Sequence, residues 1–374
     1  MCSKRYYFGF IDSVAEFLST VISVKREIVG FGMKMMNSRQ RILAAVNGEA
    51  VDKIPVVPQI TYFTSDICDI TWEQAMNDAE SMAVCLHEGH KHFGYDGVYA
   101  GWESSFNLMA SALGAHMAYR DDSIPYIDKP LFTKPEDMHK MKVADPYKDQ
   151  RLSLHLKATS ILRQKLDSDI PVFSYVPGPL TVAGLLIENN NLMKSILRNP
   201  SFVHEVVELT TRATISYAQA KIENGAEIIV IADPIASESI ISPEMFEQFS
   251  KPYLEAIIEE VNQKEAVPSV HICGRIINIL ESLCEIKPKI IEIDSCNDLK
   301  KAREIVADRV CLQGNLDPTG TLLMGDKDKV YNESKKALEE GVLDNSYFIL
   351  SSGCEVPNKT PPENIEAMMR AREA

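Results

Sequence analysis

The chain has 374 residues, 45% hydrophobic and 25% charged, with a formal net charge of −14. This is ordinary globular composition, long enough for one large α/β barrel or two smaller domains. The acidic excess argues against nucleic acid as a partner, because phosphate binding wants a basic surface.

Residues 6–24 are fairly apolar but include Asp12 and Glu16, which makes them a poor membrane span. They also lack the small-residue cleavage pattern of a secretory signal. We expect translation to begin at Met33, Met35 or Met36. Residues 1–36 would then be an N-terminal extension, a loosely attached helix or an artefact, and 37–374 a single catalytic domain. The eight cysteines show no disulfide-like spacing, which fits a reducing cytoplasm where thiolates stay available for metals.

Asn37-Ser-Arg-Gln-Arg-Ile-Leu-Ala-Ala-Val-Asn-Gly48 reads as a capped helix. Ile54-Pro-Val-Val-Pro-Gln-Ile is a first strand, broken by two prolines and so placed at a rim. A helix over 78–93 stops at Gly94, and Gly97-Val-Tyr-Ala-Gly-Trp102-Glu103 is a second strand with its exit loop. Residues 104–150 read as an irregular cap or insertion. A helix over 152–166 leads to the third strand, Pro171-Val-Phe-Ser-Tyr175-Val-Pro, and helices over 181–197 and 201–224 follow. From there the alternation is regular. Strands at 227–234, 267–273, 289–295, 310–318 and 347–352 are followed by helices over 243–261, 276–284, 298–307, 327–340 and 362–372. Strands alternating with helices imply parallel βαβ units, and eight of them imply a (β/α)8 barrel of the TIM type, with its active site at the C-terminal strand ends. No G-x-G-x-x-G follows any strand, which counts against a doubly wound sheet.

Two of these strands end in soft ligands. Pro268-Ser-Val-His271-Ile-Cys273-Gly274 carries a His and a Cys two apart, on one face of a strand, and Tyr347-Phe-Ile-Leu-Ser-Ser-Gly-Cys354 carries a Cys at the matching place on the last strand. Any one of them alone reads as a core residue. Together at strand ends, His271, Cys273 and Cys354 suit Zn2+ and leave a coordination position open. Tyr175, Asp233, Asp294, Asn315 and Asp317 also fall at or just after strand ends. Asp294 and Glu292 share a face, and either could be a fourth, displaceable oxygen ligand or a rim cap. Asp233, before Pro234, and Gly314-Asn315-Leu-Asp317-Pro also have good turn chemistry. Trp102 and Tyr175 could line a pocket or simply pack.

Between Asn37 and Ala371 the chain resembles the uroporphyrinogen decarboxylase superfamily, and within it the zinc methyltransferases that move a methyl group from a methyl-corrinoid protein to a thiol such as coenzyme M. The resemblance is carried in order by Ser38-Arg-Gln-Arg-Ile-Leu-Ala-Ala-Val-Asn-Gly, Pro177-Gly-Pro-Leu-Thr, Asp233-Pro-Ile-Ala-Ser, Ile241-Ser-Pro-Glu-Met-Phe, His271-Ile-Cys273-Gly, Gly314-Asn-Leu-Asp-Pro and Ser351-Ser-Gly-Cys354-Glu-Val-Pro-Asn-Lys-Thr-Pro-Pro. It implies His271, Cys273 and Cys354 as zinc ligands. By similarity to cobalamin-independent methionine synthase, it implies Asp294 rather than Glu292 as the fourth.

From their places at the strand ends we expect catalytic parts for Asp294, Asp233 and Tyr175, and cofactor contacts from Asn315 and Asp317. A thiol entering the open zinc position would displace Asp294, lose its proton and attack the methyl of methyl-Co(III), which leaves as Co(I). The corrinoid arrives on a partner protein, since no Asp-x-His-x-x-Gly occurs in the chain. Tetrahydrofolate is the alternative acceptor, and a non-turnover barrel that binds a corrinoid or tetrapyrrole is the non-enzymatic one. The superfamily's decarboxylases carry an arginine-rich motif after the first strand. Here Pro58-Gln-Ile-Thr-Tyr-Phe-Thr-Ser-Asp66 has no arginine, which argues against porphyrinogen decarboxylation.

Overall fold

The computed structural model describes residues 35–101, 106–118 and 125–373. Of the expected start sites, Met33 lies outside these residues, as does Trp102, while Met35 and Met36 lie at the start of the described chain.

The described strands are β1 (Val98–Ala100), β2 (His116–Ala118), β3 (Tyr126–Lys129), β4 (Val172–Pro177), β5 (Ile228–Ala232), β6 (Val267–His271), β7 (Ile290–Glu292), β8 (Cys311–Leu316) and β9 (Phe348–Ser352). Seven of them form one parallel sheet in the order β1-β4-β5-β6-β7-β8-β9. The eighth stave is the Pro55–Pro58 segment, and it makes only a parallel bridge between Val56 and Leu350. Leu350 N donates to Pro55 O and Val57 N to Leu350 O, both at 2.9 Å, while Asp96 N donates to Val56 O at 2.8 Å. The segment thus lies between β9 and the entry to β1 and closes the ring. Pro55 and Pro58 have no N–H to give, so a longer ladder cannot form there. The fold is the expected TIM-like α/β barrel, with its first strand reduced to a bridge.

Side chains alternate across each strand. Inward-facing Tyr99, Phe173, Tyr175, Ile228, Val230, Ile290, Cys311 and Ile349 form an interior cluster, and Ile42 and Val46 of the helix Ser38–Asn47 plug its lower end. That helix has the expected capping box between Asn37 and Gln40, and ends on Gly48 at φ +73°. Outward-facing Ile229, Ile231, Val270, Ile291 and Leu312 pack under the surrounding helices.

Three expectations need correction. Residues 104–150 are not irregular: their described part holds the helix Phe106–Ala112, the antiparallel pair β2–β3 and a short 3-10 helix Pro135–Lys140. Strands of three or four residues with mixed exposure carry no alternation to read. The helix expected over 181–197 breaks into Pro179–Ile187 and Asn189–Arg198 at Glu188, whose φ is +75° and whose carboxylate caps the second helix. The helix expected over 243–261 splits at Ser250, because Pro252 can sit only in a first turn.

Candidate active site

β6 delivers His271 at its last residue, and Cys273 follows in the exit turn. Cys354 lies just past β9, three strands round the barrel. His271 Nε2 is 3.0 Å from Cys273 Sγ and 3.8 Å from Cys354 Sγ, and the two sulfurs are 3.8 Å apart. All three ligand atoms lie within 4.8 Å of one another, the single such His/Cys/Asp/Glu group among the described residues. Gly274 follows in the left-handed region at φ +88°, where a Cβ would meet Ser237 Oγ at 2.7 Å, so the turn past Cys273 has room only for glycine.

The three groups act as one electrostatic unit. The hydrogen bond from Cys273, followed by His271, pulls the Cys354 thiol well below its ordinary value, against burial. Cys354 and burial push the Cys273 thiol up. Burial opposes a charged imidazole at His271, but the Cys273 sulfur, with Cys354 and Glu292, raises it well above its ordinary value. Two thiols and an imidazole crowded together share protons and charge, which is the donor chemistry a soft divalent cation satisfies. Tetrahedral zinc with bonds of about 2.3 Å to sulfur and about 2.05 Å to nitrogen needs roughly 3.8 Å between sulfurs and roughly 3.6 Å from sulfur to nitrogen. The Cys273–Cys354 and Cys354–His271 separations fit this, and His271–Cys273 is somewhat tighter. The residues therefore fit zinc.

Below the ligands the barrel interior is polar. Glu292 is fully buried and pairs in register with His271; its Oε2 lies 3.1 Å from His271 Nδ1. Tyr99 Oη donates to Glu292 Oε1 at 2.9 Å and Ser269 Oγ to the same oxygen at 3.2 Å, while Gln313 Nε2 donates to Tyr99 Oη at 2.6 Å. Tyr175 stacks on Tyr99 with ring centroids 5.1 Å apart and donates to Gln59 Oε1 at 2.7 Å.

The remaining sequence candidates are placed as follows. Asp294 does not join the His–Cys group: Gly274 N donates to its Oδ2 at 2.7 Å, and Ser295 Oγ and Cys296 N donate to its Oδ1. Asp233 is buried, and its carboxylate accepts from Leu180 N, Thr181 N and Thr181 Oγ1, at the start of the helix Pro179–Ile187. Burial raises that carboxyl to about 6, against the pull of these bonds. Its carboxylate is thus used as a helix cap. Tyr175 is a wall residue within the barrel, 4% exposed. Asn315 and Asp317 lie away from the His–Cys group, in a polar pocket of about 310 Å³ between the end of β8 and the helix Lys327–Gly341. Asp317 caps the following turn through Thr319 N and Gly320 N. Cys296 is exposed.

Sequence reasoning missed Glu355 and the Tyr99–Gln313–Gln59 layer. Thr61 N and Oγ1 donate to Glu355 Oε1 at 2.9 and 2.7 Å. Part of Glu355 reaches the surface, but its carboxyl is enclosed, and burial raises it to about 8. The available signal was a set of polar residues at inward positions of otherwise apolar strands.

The family model for uroporphyrinogen decarboxylase (URO-D) matches residues 37–374. The chain belongs to the uroporphyrinogen decarboxylase family. Its likeness within that family runs to methyltransferases. It is 30% identical over 348 residues to the methylcobamide:CoM methyltransferase MtaA of Methanosarcina barkeri, covering 91% of this chain and 99% of that one. It is 28% identical over 337 residues to the methylcobamide:CoM methyltransferase MtbA of Methanosarcina acetivorans, covering 88% and 96%. A solved methyltransferase from Methanosarcina mazei superposes with a TM-score of 0.82 at 30% identity, covering 90% of this chain and 98% of that one. Within this family member the strand tips are where the fold presents reacting groups.

Proposed function

We propose that this protein transfers a methyl group from a methyl-corrinoid, carried by a partner protein, to the sulfur of a small thiol such as coenzyme M, with His271, Cys273 and Cys354 holding a zinc ion. The observation that carries this reading is the convergence of those three donors at the barrel mouth in a chain whose relatives include methylcobamide:CoM methyltransferases at 28–30% identity. Zinc bound there would lower the pKa of an incoming thiol and keep its sulfur an electron-rich thiolate.

The thiol gives its proton to solvent, and its sulfur attacks the methyl carbon. A sulfur–carbon bond forms and the carbon–cobalt pair stays on cobalt, which leaves as Co(I). The protein's own groups prepare the place. Asp294 holds the turn after Cys273 through Gly274 N, so we assign it loop positioning rather than a resting ligand position. Asp233 N donates to His271 O at 2.9 Å and ties the β6 tip to the neighbouring helix cap. Tyr175, Tyr99 and Gln59 seal the site from below and keep water from entering through the barrel. Asn315 and Asp317 have no part at the reacting atoms in this reading.

The family is named for a decarboxylase, but residues 58–66 supply no arginine to hold a polycarboxylate, which favours methyl transfer. The cysteines the structure describes are all free, in keeping with the cytoplasmic site we propose. No described helix is long and apolar enough to cross a membrane. The test is paired: zinc content of the purified protein, and loss of methylcobalamin absorbance on adding thiol. One zinc equivalent with thiol-dependent demethylation supports the proposal, and coenzyme M, homocysteine and tetrahydrofolate are then compared as acceptors. Zinc-free protein without demethylation overturns it.

A further inference from the structure

His271 Nδ1 and Glu292 Oε2 are both sealed from solvent, and neither has a well-formed hydrogen bond to any group among the described residues. They face each other at 3.1 Å, off the ideal line, on strands whose register pairs the two residues directly. A buried polar atom without a partner is costly, and two complementary ones at this distance satisfy each other after a small rotation of the ring. The far side of the Glu292 carboxylate is pinned by Tyr99 Oη and Ser269 Oγ, both on Oε1, so Oε2 is left for His271.

We infer that Glu292 is the positioning residue of the metal centre. It accepts the Nδ1–H of His271, and so selects the tautomer that presents a bare Nε2 to the space shared with Cys273 and Cys354. Tyr99 and Ser269 hold the carboxylate in place, with Gln313 behind Tyr99. This rests on the zinc reading above and adds a role to it: Glu292 stands behind a ligand and is not one. A partner on the far ring nitrogen fixes ring orientation and makes the ligating nitrogen more basic, and its loss typically weakens metal binding by about 10–100-fold. The layer of polar side chains inside an otherwise apolar barrel thereby has a purpose, which is to hold one carboxylate oxygen where an imidazole needs it.

The test uses full-length wild type, Glu292→Gln, and Tyr99→Phe as a milder variant in case the first folds poorly. Zinc affinity is read by competition with a chromophoric chelator, and the His271 tautomer by the nitrogen-15 shifts of its ring in long-range proton–nitrogen spectra. We expect Glu292→Gln to lose about 10–100-fold in zinc affinity and Tyr99→Phe a smaller factor. We also expect the His271 Nδ1–H of wild type to lose its charge-assisted hydrogen-bond shift in Glu292→Gln, and the ligand-field bands of the cobalt(II)-substituted protein to shift while its thiolate charge-transfer band remains. Wild-type zinc affinity with an unchanged ring spectrum in Glu292→Gln overturns the inference. Loss of the thiolate charge-transfer band in the same variant would make Glu292 necessary for ligation itself and also overturns a purely positioning role. If wild type holds no zinc at all, the zinc reading fails, and the tautomer spectra still decide the pairing of His271 with Glu292.

Discussion

At the floor of the barrel Arg41 is 5% exposed, and at the mouth His271 is 3% exposed, yet the two ends treat buried polarity in opposite ways. Arg41 is saturated: it pairs with Asp52 at 2.7 Å and with Asp96 at 2.6 Å, and donates to Met36 O at 2.6 Å. Asp96 also accepts from Ser38 Oγ and Val56 N and pairs with Arg372, so it joins the plug helix, the closing stave and the last helix. At the mouth, two thiols and an imidazole meet with protons to share, and His271 Nδ1 and Glu292 Oε2 lack good partners. Paired buried charge holds the ring shut. At the mouth, unpartnered buried atoms stand beside a group of His and Cys donors, which is what sets that end apart.

The largest expected effect breaks the mouth alone. Cys354→Ala should abolish zinc retention and lower thiol-dependent demethylation by more than the roughly 100-fold that loss of a supporting residue gives, read by metal analysis and methylcobalamin absorbance. Full zinc retention in this variant would remove the distinction between the two ends. At the floor, Asp96→Ala should cost about 3–5 kcal/mol, because it leaves Arg41 and Arg372 buried beside a lost carboxylate. Denaturant unfolding measures it, with the zinc stoichiometry of the folded protein unchanged.

The wall between the two ends offers a third comparison. Lys221 is 1% exposed and burial lowers its amine to about 7. The unfolded chain keeps that proton to near the ordinary lysine value, so between pH 7 and 10 the unfolded state binds more protons and wild-type stability gains from rising pH. Lys221→Met removes this contribution, and unfolding curves should differ in slope between the two proteins by up to about 3 kcal/mol from pH 7 to pH 9. The smallest effect is expected at Asp317→Ala, about 1 kcal/mol for loss of a cap. Its KM for thiol should match wild type, and a raised KM would bring the outer polar pocket into the reaction.

Some features were readable because they are local. The capping box at Asn37 and Gln40, the prolines that shorten the first stave, and the run of β-branched strands separated by helices all act within a few residues of themselves. The His271–Cys273 pair was legible as two soft ligands close together in sequence at a strand end, although β6 stops at His271 and Cys273 stands in the exit turn rather than on the strand face. Cys354 could be joined to them only through the inference of a closed barrel. The breaks at Glu188 and Ser250 were not foreseen, because continuous apolar patterning hides a single residue of altered φ or a proline displaced into a first turn.

The sequence by itself determined the parallel barrel, its closing helix and the chemical types waiting at its strand ends, because those follow from periodicity, turn chemistry and residue identity. Only the tertiary structure decided among the acidic candidates. It gave Asp233 to a helix cap, Asp294 to the turn after Cys273, Asp317 to an outer cap and Glu292 to His271. Which partner a carboxylate meets depends on strand register and on cross-barrel distances between residues as far apart as Tyr99 and Glu292, and no spacing along the chain encodes those.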